Sequence, residues 1–281
     1  MALVLGGGSY SAELVRALGL ATDAAAAASR ALVGMGDKVA ADQAAVTAMR
    51  AELARAPFDG VVVIGEGEKD DAPMLANGER LGAGGPECDI AVDPLDGTRL
   101  VAEGLPGSIA VIAIAPRGSM FDPVDTFYMD KLVTIGAARG RLDLRRSVAE
   151  NLVTLAAIKG VDVAELTVAV LDKPRHTQLT AEIRETGASV RQLREGDVSA
   201  AVAAASVGSG IDLLLGIGGT PEGVIAACAV RALGGFMQGR LAPQTDEQRA
   251  AAEAAGHDLD RVLELDDLVS SDRVLFVSSE V

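Results

Sequence analysis

The sequence predicts an α/β protein, and two patterns support this fold class. Beyond residue 150, helical and strand-like segments alternate regularly, which favours a parallel sheet flanked by helices. Before residue 150, several short apolar runs end in acidic segments that contain glycine. Because open α/β sheets bind ligands at the carboxyl ends of their strands, these acidic segments are candidates for a functional site.

The first half is predicted to begin with a helical hairpin. Residues 11–34 and 38–55 have helical spacing, the break Gly34-Met35-Gly36 separates them, and Asp37 is a plausible cap for the second helix. Strand-like runs follow at residues 60–64, 90–92, 108–115 and 126–135. Gly6-Gly7-Gly8 precedes any convincing strand, so we expect a flexible start there.

In the second half, helices and strands follow one another closely. The predicted segments are helix 148–159, strand 166–171, helix 176–186, strand 189–193, helix 197–205, strand 212–217 and helix 221–233. A further strand-like run lies at residues 273–278. The regular alternation of helices and strands begins near residues 146–157. This change predicts a domain boundary there, between an N-terminal subdomain of residues 1–150 and a C-terminal subdomain of residues 151–281.

The composition excludes several classes of function. Hydrophobic residues make up 49% of the 281 positions, enough for a large core, and no apolar run reaches the roughly 18 residues that span a bilayer. The net charge of −15 argues against sequence-independent nucleic-acid binding, and the absence of Trp leaves little for base stacking. Cys88 and Cys228 are too few for a disulfide framework. We therefore expect a cytoplasmic protein without nucleic-acid or membrane partners.

The most informative motif is Asp93-Pro94-Leu95-Asp96-Gly97-Thr98, which follows the apolar run Ile90-Ala91-Val92. We expect the strand to stop at the proline and to release two carboxylates at its end. Thr98 is predicted to open a helix whose unpaired N–H groups favour a phosphate, and Gly97 allows the backbone to approach that anion closely. A helix cap or a turn explains this motif poorly, so it favours a metal and phosphate site.

Other acidic segments strengthen the metal hypothesis when they are taken together. Magnesium and manganese prefer oxygen ligands, and a site for them needs carboxylates from separate segments. The further candidates are Asp37 with Asp42, Glu66 with Glu68, and Glu222. Each alone has a simpler interpretation as a helix cap or a solvated turn.

At this point the chain resembles the lithium-sensitive, metal-dependent sugar and inositol phosphatases, and most closely their class II fructose-1,6-bisphosphatases. The likeness covers about residues 11–278. It rests on the motif at residues 93–98 and on six further segments: residues 36–42, Gly65-Glu66-Gly67-Glu68, Ala72-Pro73-Met74-Leu75, Tyr128-Met129-Asp130-Lys131-Leu132, Lys173-Pro174-Arg175-His176 and residues 218–223. The resemblance implies the sugar-phosphatase fold, a layered αβαβα sandwich of two subdomains.

The resemblance also implies roles for individual residues. The implied metal ligands for Mg²⁺ or Mn²⁺ are Asp42, Glu66, Asp93, Asp96 and Glu222. Thr98 and Asp42 are the implied catalytic pair that activates water. The implied substrate-binding residues are Lys38, Asp96, Gly97, Thr98, Tyr128, Arg175, His176, Thr177, Glu195, Gly196, Asp197 and Gly219. From the residues alone, His176 is better explained as a helix cap or a surface residue. The simpler interpretation of Tyr128 is core packing with a solvated hydroxyl, and that of residues 195–197 is a helix N-terminus.

The implied reaction is hydrolysis of the 1-phosphate of fructose 1,6-bisphosphate to fructose 6-phosphate in gluconeogenesis, by a homodimer or homotetramer. Sedoheptulose 1,7-bisphosphate is a second plausible substrate. One alternative is an inositol monophosphate or nucleotide 3′-phosphatase with a similar acidic core. Another is a catalytically silent sugar-phosphate-binding protein, suggested by Met35 and Thr177, which depart from the family pattern, and by an apparently shortened carboxyl end.

Overall fold

The computed structural model describes residues 2–65, 75–123 and 126–281, together with the backbone of residues 68–69 and 72–73. The strands, in chain order, are β1 Leu3–Gly6, β2 Asp59–Ile64, β3 Glu68–Lys69, β4 Ala72–Pro73, β5 Arg80–Leu81, β6 Glu87–Asp96, β7 Ile109–Pro116, β8 Tyr128–Thr134, β9 Thr167–Leu171, β10 Ser189–Leu193, β11 Leu213–Gly219, β12 Phe236–Leu241, β13 Leu263–Glu264 and β14 Leu275–Glu280. The helices are α1 Ala12–Arg30, α2 Lys38–Leu53, α3 Thr98–Glu103, α4 Val148–Lys159, α5 Thr177–Glu185, α6 Asp197–Ala205, α7 Thr220–Leu233, α8 Asp246–Ala254 and α9 Leu265–Leu268.

Polar side chains determine where several helices begin. Asp37 accepts a hydrogen bond from the backbone N–H of Ala40 at 3.0 Å and so caps α2, as the sequence predicts. Ser147 and Glu150 form a capping box at the start of α4. By contrast, α1 ends at Arg30, before the predicted residue 34.

The turn that follows α1 is bonded to another helix. The N–H groups of Gly34 and Gly36 donate to the carbonyls of Val101 and Ala102 in α3, at 2.8 and 3.0 Å. These backbone groups therefore cannot continue the α1 hydrogen-bond ladder, which explains the shorter helix.

The chain divides into two compact units, Met1–Asp122 with Val269–Val281, and Pro123–Leu268. The boundary expected near residue 150 lies inside the second unit. Long-range strand pairing accounts for the difference, because β8 hydrogen-bonds to β11 and β12 of the second unit. β14 belongs to the first unit, since it lies between β1 and β7.

The first unit contains a sheet with the strand order β1-β14-β7-β6-β2-β5. Only the β2–β6 pair in this order is parallel. Helices α1 and α2 pack against each other and against this sheet, and Leu18, Met49, Phe58 and Ile112 lie fully buried in the resulting core. The expected flexible start at Gly6 is wrong, because β1 pairs with β14 and includes that residue.

The second unit contains a mixed sheet with the order β10-β9-β11-β8-β12-β13. The predicted parallel arrangement is present in β10, β9 and β11, whereas β8, β12 and β13 pair antiparallel. Helices α4 to α7 pack in this unit, and α6 and α7 contact β11 and β12 respectively. Both units thus combine helices with sheets, which confirms the α/β class. Among the described helices, none has the length and apolar character needed to cross a membrane.

Candidate active site

The acidic motif of the first unit lies on a β-bulge. β6 does not stop at Pro94 as predicted but continues to Asp96. Asp93 pairs with Val111 and Asp96 with Ile109, so Pro94 and Leu95 together oppose the single residue Ala110. The bulge accommodates the proline, which has no N–H to donate to a regular ladder.

The end of β6 turns sharply into α3. Gly97 has a positive φ of 86°, and its carbonyl accepts a hydrogen bond from the Ser108 hydroxyl at 2.8 Å. A Cβ at position 97 would lie 3.1 Å from Ser108 Oγ, so glycine suits this turn both in conformation and in space. Thr98 is the first residue of α3, as predicted, and Asp96 before it is buried.

The start of α2 carries two further predicted residues. Asp42 is buried at 7% exposure, whereas Lys38 is exposed at the first position of the helix. Helix α2 packs against α3 and β6, the two elements that carry Thr98 and Asp96. The first unit therefore brings together the elements that hold the predicted catalytic pair, Thr98 and Asp42, and three predicted metal ligands, Asp42, Asp93 and Asp96.

In the second unit, a buried lysine connects two predicted substrate-binding residues. Lys131 is 2% exposed; its Nζ donates to Asp197 Oδ2 at 2.5 Å and to the Gly219 carbonyl at 3.1 Å. A Cβ at Gly218 would lie 2.2 Å from that Asp197 oxygen, so the absence of a side chain there makes room for the ion pair. Asp197, one of the implied substrate-binding residues, uses one carboxylate oxygen to pair with Lys131.

Glu222 lies beside this pair, in the first turn of α7. Its Oε2 is a buried atom that accepts no hydrogen bond from the described part of the chain, and a Cβ at Gly219 would lie 1.7 Å from it. Desolvation raises the pKa of this carboxyl, the Asp197 carboxylate raises it further, and Lys131 opposes both. A buried carboxylate oxygen of this kind fits the role of ligand to a hard divalent cation.

Arg175 and Tyr128 lie close together in the same unit. The Arg175 guanidinium lies 5.1 Å from the centre of the Tyr128 ring, and its Nε and Nη2 donate to the Ile217 carbonyl at 3.1 and 2.9 Å. Tyr128 is the register partner of Gly219 at the end of β11. The Nε and Nη2 atoms of Arg175 therefore bind the backbone, and Nη1 can bind a ligand.

The remaining predicted residues occupy different environments. His176 is buried at 3% exposure, and both ring nitrogens lie within hydrogen-bond distance of backbone groups. The Thr177 hydroxyl is exposed and donates to the Pro174 carbonyl at 2.9 Å. Glu195 and Gly196 directly precede α6, where Gly196 has a φ of 86°.

Glu66, a predicted metal ligand, lies outside the described residues. Within the described ranges, no group of three or more His, Cys, Asp or Glu side chains has an arrangement that could hold a metal ion. The metal site therefore stays a prediction, supported in the second unit by Glu222.

Comparison with protein families decides the relationship of the chain. Residues 10–281 match the family described as bacterial fructose-1,6-bisphosphatase, glpX-encoded. The chain belongs to this fructose-bisphosphatase family. Its relatives include proteins of Prochlorococcus marinus that are named D-fructose 1,6-bisphosphatase class 2/sedoheptulose 1,7-bisphosphatase. Those of strains MIT 9303 and MIT 9313 are 45% identical to this chain and that of strain NATL1A is 43% identical, each over 92% of this chain and 81% of the relative.

In this fructose-bisphosphatase family member, sequence reasoning missed two residues that contact predicted site residues, one in each unit. Lys131 lies within the motif Tyr128-Met129-Asp130-Lys131-Leu132, and its place in the strand is itself a signal. Met129, Lys131 and Val133 alternate along β8 and all are buried, so the lysine lies on an apolar face and needs a partner. Ser108 offered no comparable signal, because its contact with Gly97 depends on how β6 and β7 pair.

Proposed function

We propose that this chain is a phosphoric monoester hydrolase that removes the 1-phosphate of fructose 1,6-bisphosphate. Water adds to the phosphorus, the bond between phosphorus and the sugar oxygen breaks, and fructose 6-phosphate and inorganic phosphate result. The observation that carries the proposal is the turn in which buried Asp96, left-handed Gly97 and helix-opening Thr98 follow one another. The names of the relatives support both fructose and sedoheptulose bisphosphates as substrates.

The proposed roles follow from the chemistry of the side chains. The Thr98 hydroxyl holds the attacking water, and Asp42 accepts its proton. Lys38 and the Nη1 of Arg175 offer positive charge to phosphate oxygens. Asp42, Glu66, Asp93, Asp96 and Glu222 would hold Mg²⁺ or Mn²⁺. Such a cation, when bound, lowers the pKa of water and neutralises the leaving oxygen.

Thr98 provides the first test. We expect T98A to reduce kcat for fructose 1,6-bisphosphate by about 10²- to 10⁴-fold, the usual contribution of a group that assists proton transfer. T98S keeps the hydroxyl and should retain most of the activity. T47A is the matched control, since Thr47 is exposed on α2 and its hydroxyl donates only to the Gln43 carbonyl. Equal kcat values for T98A and T98S would contradict the role of the hydroxyl.

Substrate competition tests the reaction itself. Phosphate release is measured from fructose 1,6-bisphosphate, sedoheptulose 1,7-bisphosphate, inositol 1-phosphate and adenosine 3′,5′-bisphosphate, each with Mg²⁺, with Mn²⁺ and with chelator. We expect release from a sugar bisphosphate that requires the divalent cation. Preference for inositol or nucleotide phosphate supports the alternative phosphatases. Tight sugar-phosphate binding without turnover supports the silent binding protein.

Assembly and cellular location are also proposed from the family resemblance. The family resemblance implies a homodimer or homotetramer in the cytoplasm. Light scattering at micromolar protein concentration gives the mass in solution, and a monomeric mass would contradict the expected assembly.

A further inference from the structure

His176 connects two strands through its ring. Its Nδ1 lies 2.7 Å from the carbonyl oxygen of Leu171, at the end of β9, and its Nε2 lies 2.8 Å from the backbone nitrogen of Ile217 in β11. A carbonyl oxygen can only accept and a backbone N–H can only donate. The two partners together therefore require the neutral ring with its proton on Nδ1.

The backbone around Ile217 is shaped for this ring. Gly216 has a φ of +116°, and a Cβ there would lie 2.9 Å from His176 Nε2, so the ring packs directly on the glycine. Arg175, the preceding residue, donates twice to the Ile217 carbonyl. Consecutive side chains thus hold both the N–H and the C=O of Ile217.

These contacts of His176 and Arg175 with Ile217 lie next to other predicted substrate-binding residues. β11 ends two residues after Ile217, at Gly219, whose carbonyl accepts from Lys131 and whose register partner is Tyr128. A change in the position of Ile217 would move the Gly218-Gly219 segment and withdraw the acceptor that orients Arg175.

The groups around the ring oppose its protonation on balance. Burial has the largest effect and lowers the pKa of His176, and the positive charges of Arg175 and Lys131 act in the same direction. The Leu171 carbonyl and the Asp130 carboxylate favour the protonated ring. The Asp130 carboxylate also accepts a hydrogen bond from Arg240, at 3.3 Å.

We propose that His176 is a positioning residue. Its neutral, Nδ1-protonated ring keeps Ile217, and through Ile217 also Arg175 and Gly218-Gly219, in the geometry that binds a sugar phosphate. Protonation of the ring breaks the hydrogen bond between Nε2 and the Ile217 N–H. A proton on Nε2 places an N–H donor against the N–H of Ile217, so the contact must open. The inference rests on the proposed function, because its biological readout is the affinity for a sugar bisphosphate.

The chain contains only two histidines, His176 and His257, which permits a matched experiment. KM and kcat for fructose 1,6-bisphosphate are measured between about pH 5 and 8, around the ordinary histidine pKa of ~6.5, for the unaltered protein, H176Q and H257Q. Glutamine keeps an amide oxygen that can accept from Ile217 N–H, and it does not titrate. In H257Q the ring that contacts the Pro123 carbonyl at 3.1 Å is removed instead.

In the unaltered protein and in H257Q, we expect KM to rise in acid by up to about tenfold per pH unit, the limit for one linked proton, with a smaller change in kcat. Ionisation of the substrate and of the metal ligands contributes equally to all three proteins, so the decisive quantity is the difference from H176Q. We expect H176Q to have a flatter KM profile whatever its level of activity. If KM of H176Q rises as steeply at low pH as KM of the unaltered protein, the inference is overturned.

A second measurement is independent of turnover. Nitrogen-15 spectra of H257Q contain one imidazole, for which we expect the Nδ1-protonated tautomer at neutral pH. The Nε2-protonated tautomer, or a ring already charged at pH 7, overturns the inference even if H176Q fails to fold. Lack of hydrolysis of any sugar bisphosphate by the unaltered protein at every pH overturns the proposed function instead, so the two failures are distinguishable.

Discussion

The Lys131 side chain is almost fully buried; the Asp197 carboxylate balances its charge, and the Gly219 carbonyl accepts its second hydrogen bond. Removing water from both members of an ion pair is costly, and the pair is retained only with good geometry and further hydrogen bonds. Loss of the lysine would leave Asp197 uncompensated, with the Glu222 carboxylate nearby. The ion pair therefore supports the structure of the second unit as well as its predicted site.

We expect K131M to lower the free energy of unfolding by about 3–5 kcal/mol, the usual penalty for leaving a buried charge without its partner. R55M is the control. Arg55 and Glu52 form a salt bridge at the surface, with 70% and 33% of their side chains exposed, and losing such a pair costs at most about 1 kcal/mol. Urea unfolding of both variants makes the comparison. A similar decrease in the free energy of unfolding for K131M and R55M would show that the buried pair stabilises the protein no more than the surface pair.

Cys88 and Cys228 are both buried, and neither forms a disulfide. Burial raises the pKa of the Cys88 thiol from 9.0 to about 11, despite the opposing charge of Arg117. Since the thiolate is the reactive form, its population at pH 8 should be about a hundredfold below that of an ordinary thiol.

We therefore expect the folded protein to react with a disulfide reagent such as DTNB far more slowly than the protein in urea, where two thiols should react. Rapid reaction of one equivalent under native conditions at pH 8 would contradict the burial of Cys88 or of Cys228.

The connection from β6 to α3 depends on a glycine whose conformation and surroundings both matter. G118A provides the control, because Gly118 also has a positive φ, of +77°, but has open space around its missing Cβ. We expect G118A to cost about 1 kcal/mol from backbone strain alone and G97A about 2–3 kcal/mol, because a Cβ at 97 also crowds Ser108 and Leu100.

Activity separates the two variants further. We expect G97A, but not G118A, to lower kcat, since Gly97 sets the direction of Thr98. Denaturant unfolding and initial rates on the same preparations check both parts. A G97A protein with the stability and kcat of G118A would show that the turn tolerates a side chain.

Secondary structure could be predicted where its signals are local. Asp37 caps α2 as predicted, and Thr98 opens α3 as predicted, because a cap and its partners lie within four residues of one another. The course of β6 could not be predicted in the same way. Pro94 is a local stop signal, but pairing of Asp96 with Ile109 across the bulge continues the strand. Tertiary pairing overrides the local preference there.

The order and direction of the strands within the two units were harder to predict from the sequence. Periodicity identifies strands but not their neighbours, so the alternation beyond residue 150 predicted the parallel strands β9, β10 and β11 without revealing that β8 joins them antiparallel. The same limit concealed the partners of Lys131. The family and the acidic motifs were accessible, because they depend on residue types at fixed spacing.

Melting experiments address the protein as a whole. With a net charge of −15, the protein should gain stability from any salt that screens repulsion. A divalent cation that binds the folded state adds a specific term, about 2.7 kcal/mol when its free concentration is 100 times its Kd. We expect Mg²⁺ or Mn²⁺ to raise Tm more than NaCl of equal ionic strength.

E222Q should lose part of that specific gain while keeping the response to NaCl, because the amide is a weaker ligand for a hard cation. Equal Tm increases with NaCl and with the divalent cations would contradict a bound metal.

The position of β14 between β1 and β7 has a consequence for biosynthesis. A nascent chain cannot complete the first sheet until Leu275–Glu280 has left the ribosome, so β1 must wait for a partner more than 260 residues downstream, as the pairing of Leu3 with Ser278 shows. All strands of the second sheet lie between Pro123 and Leu268 and can assemble earlier. During translation, the amino-terminal segment therefore depends longest on protection from unwanted association.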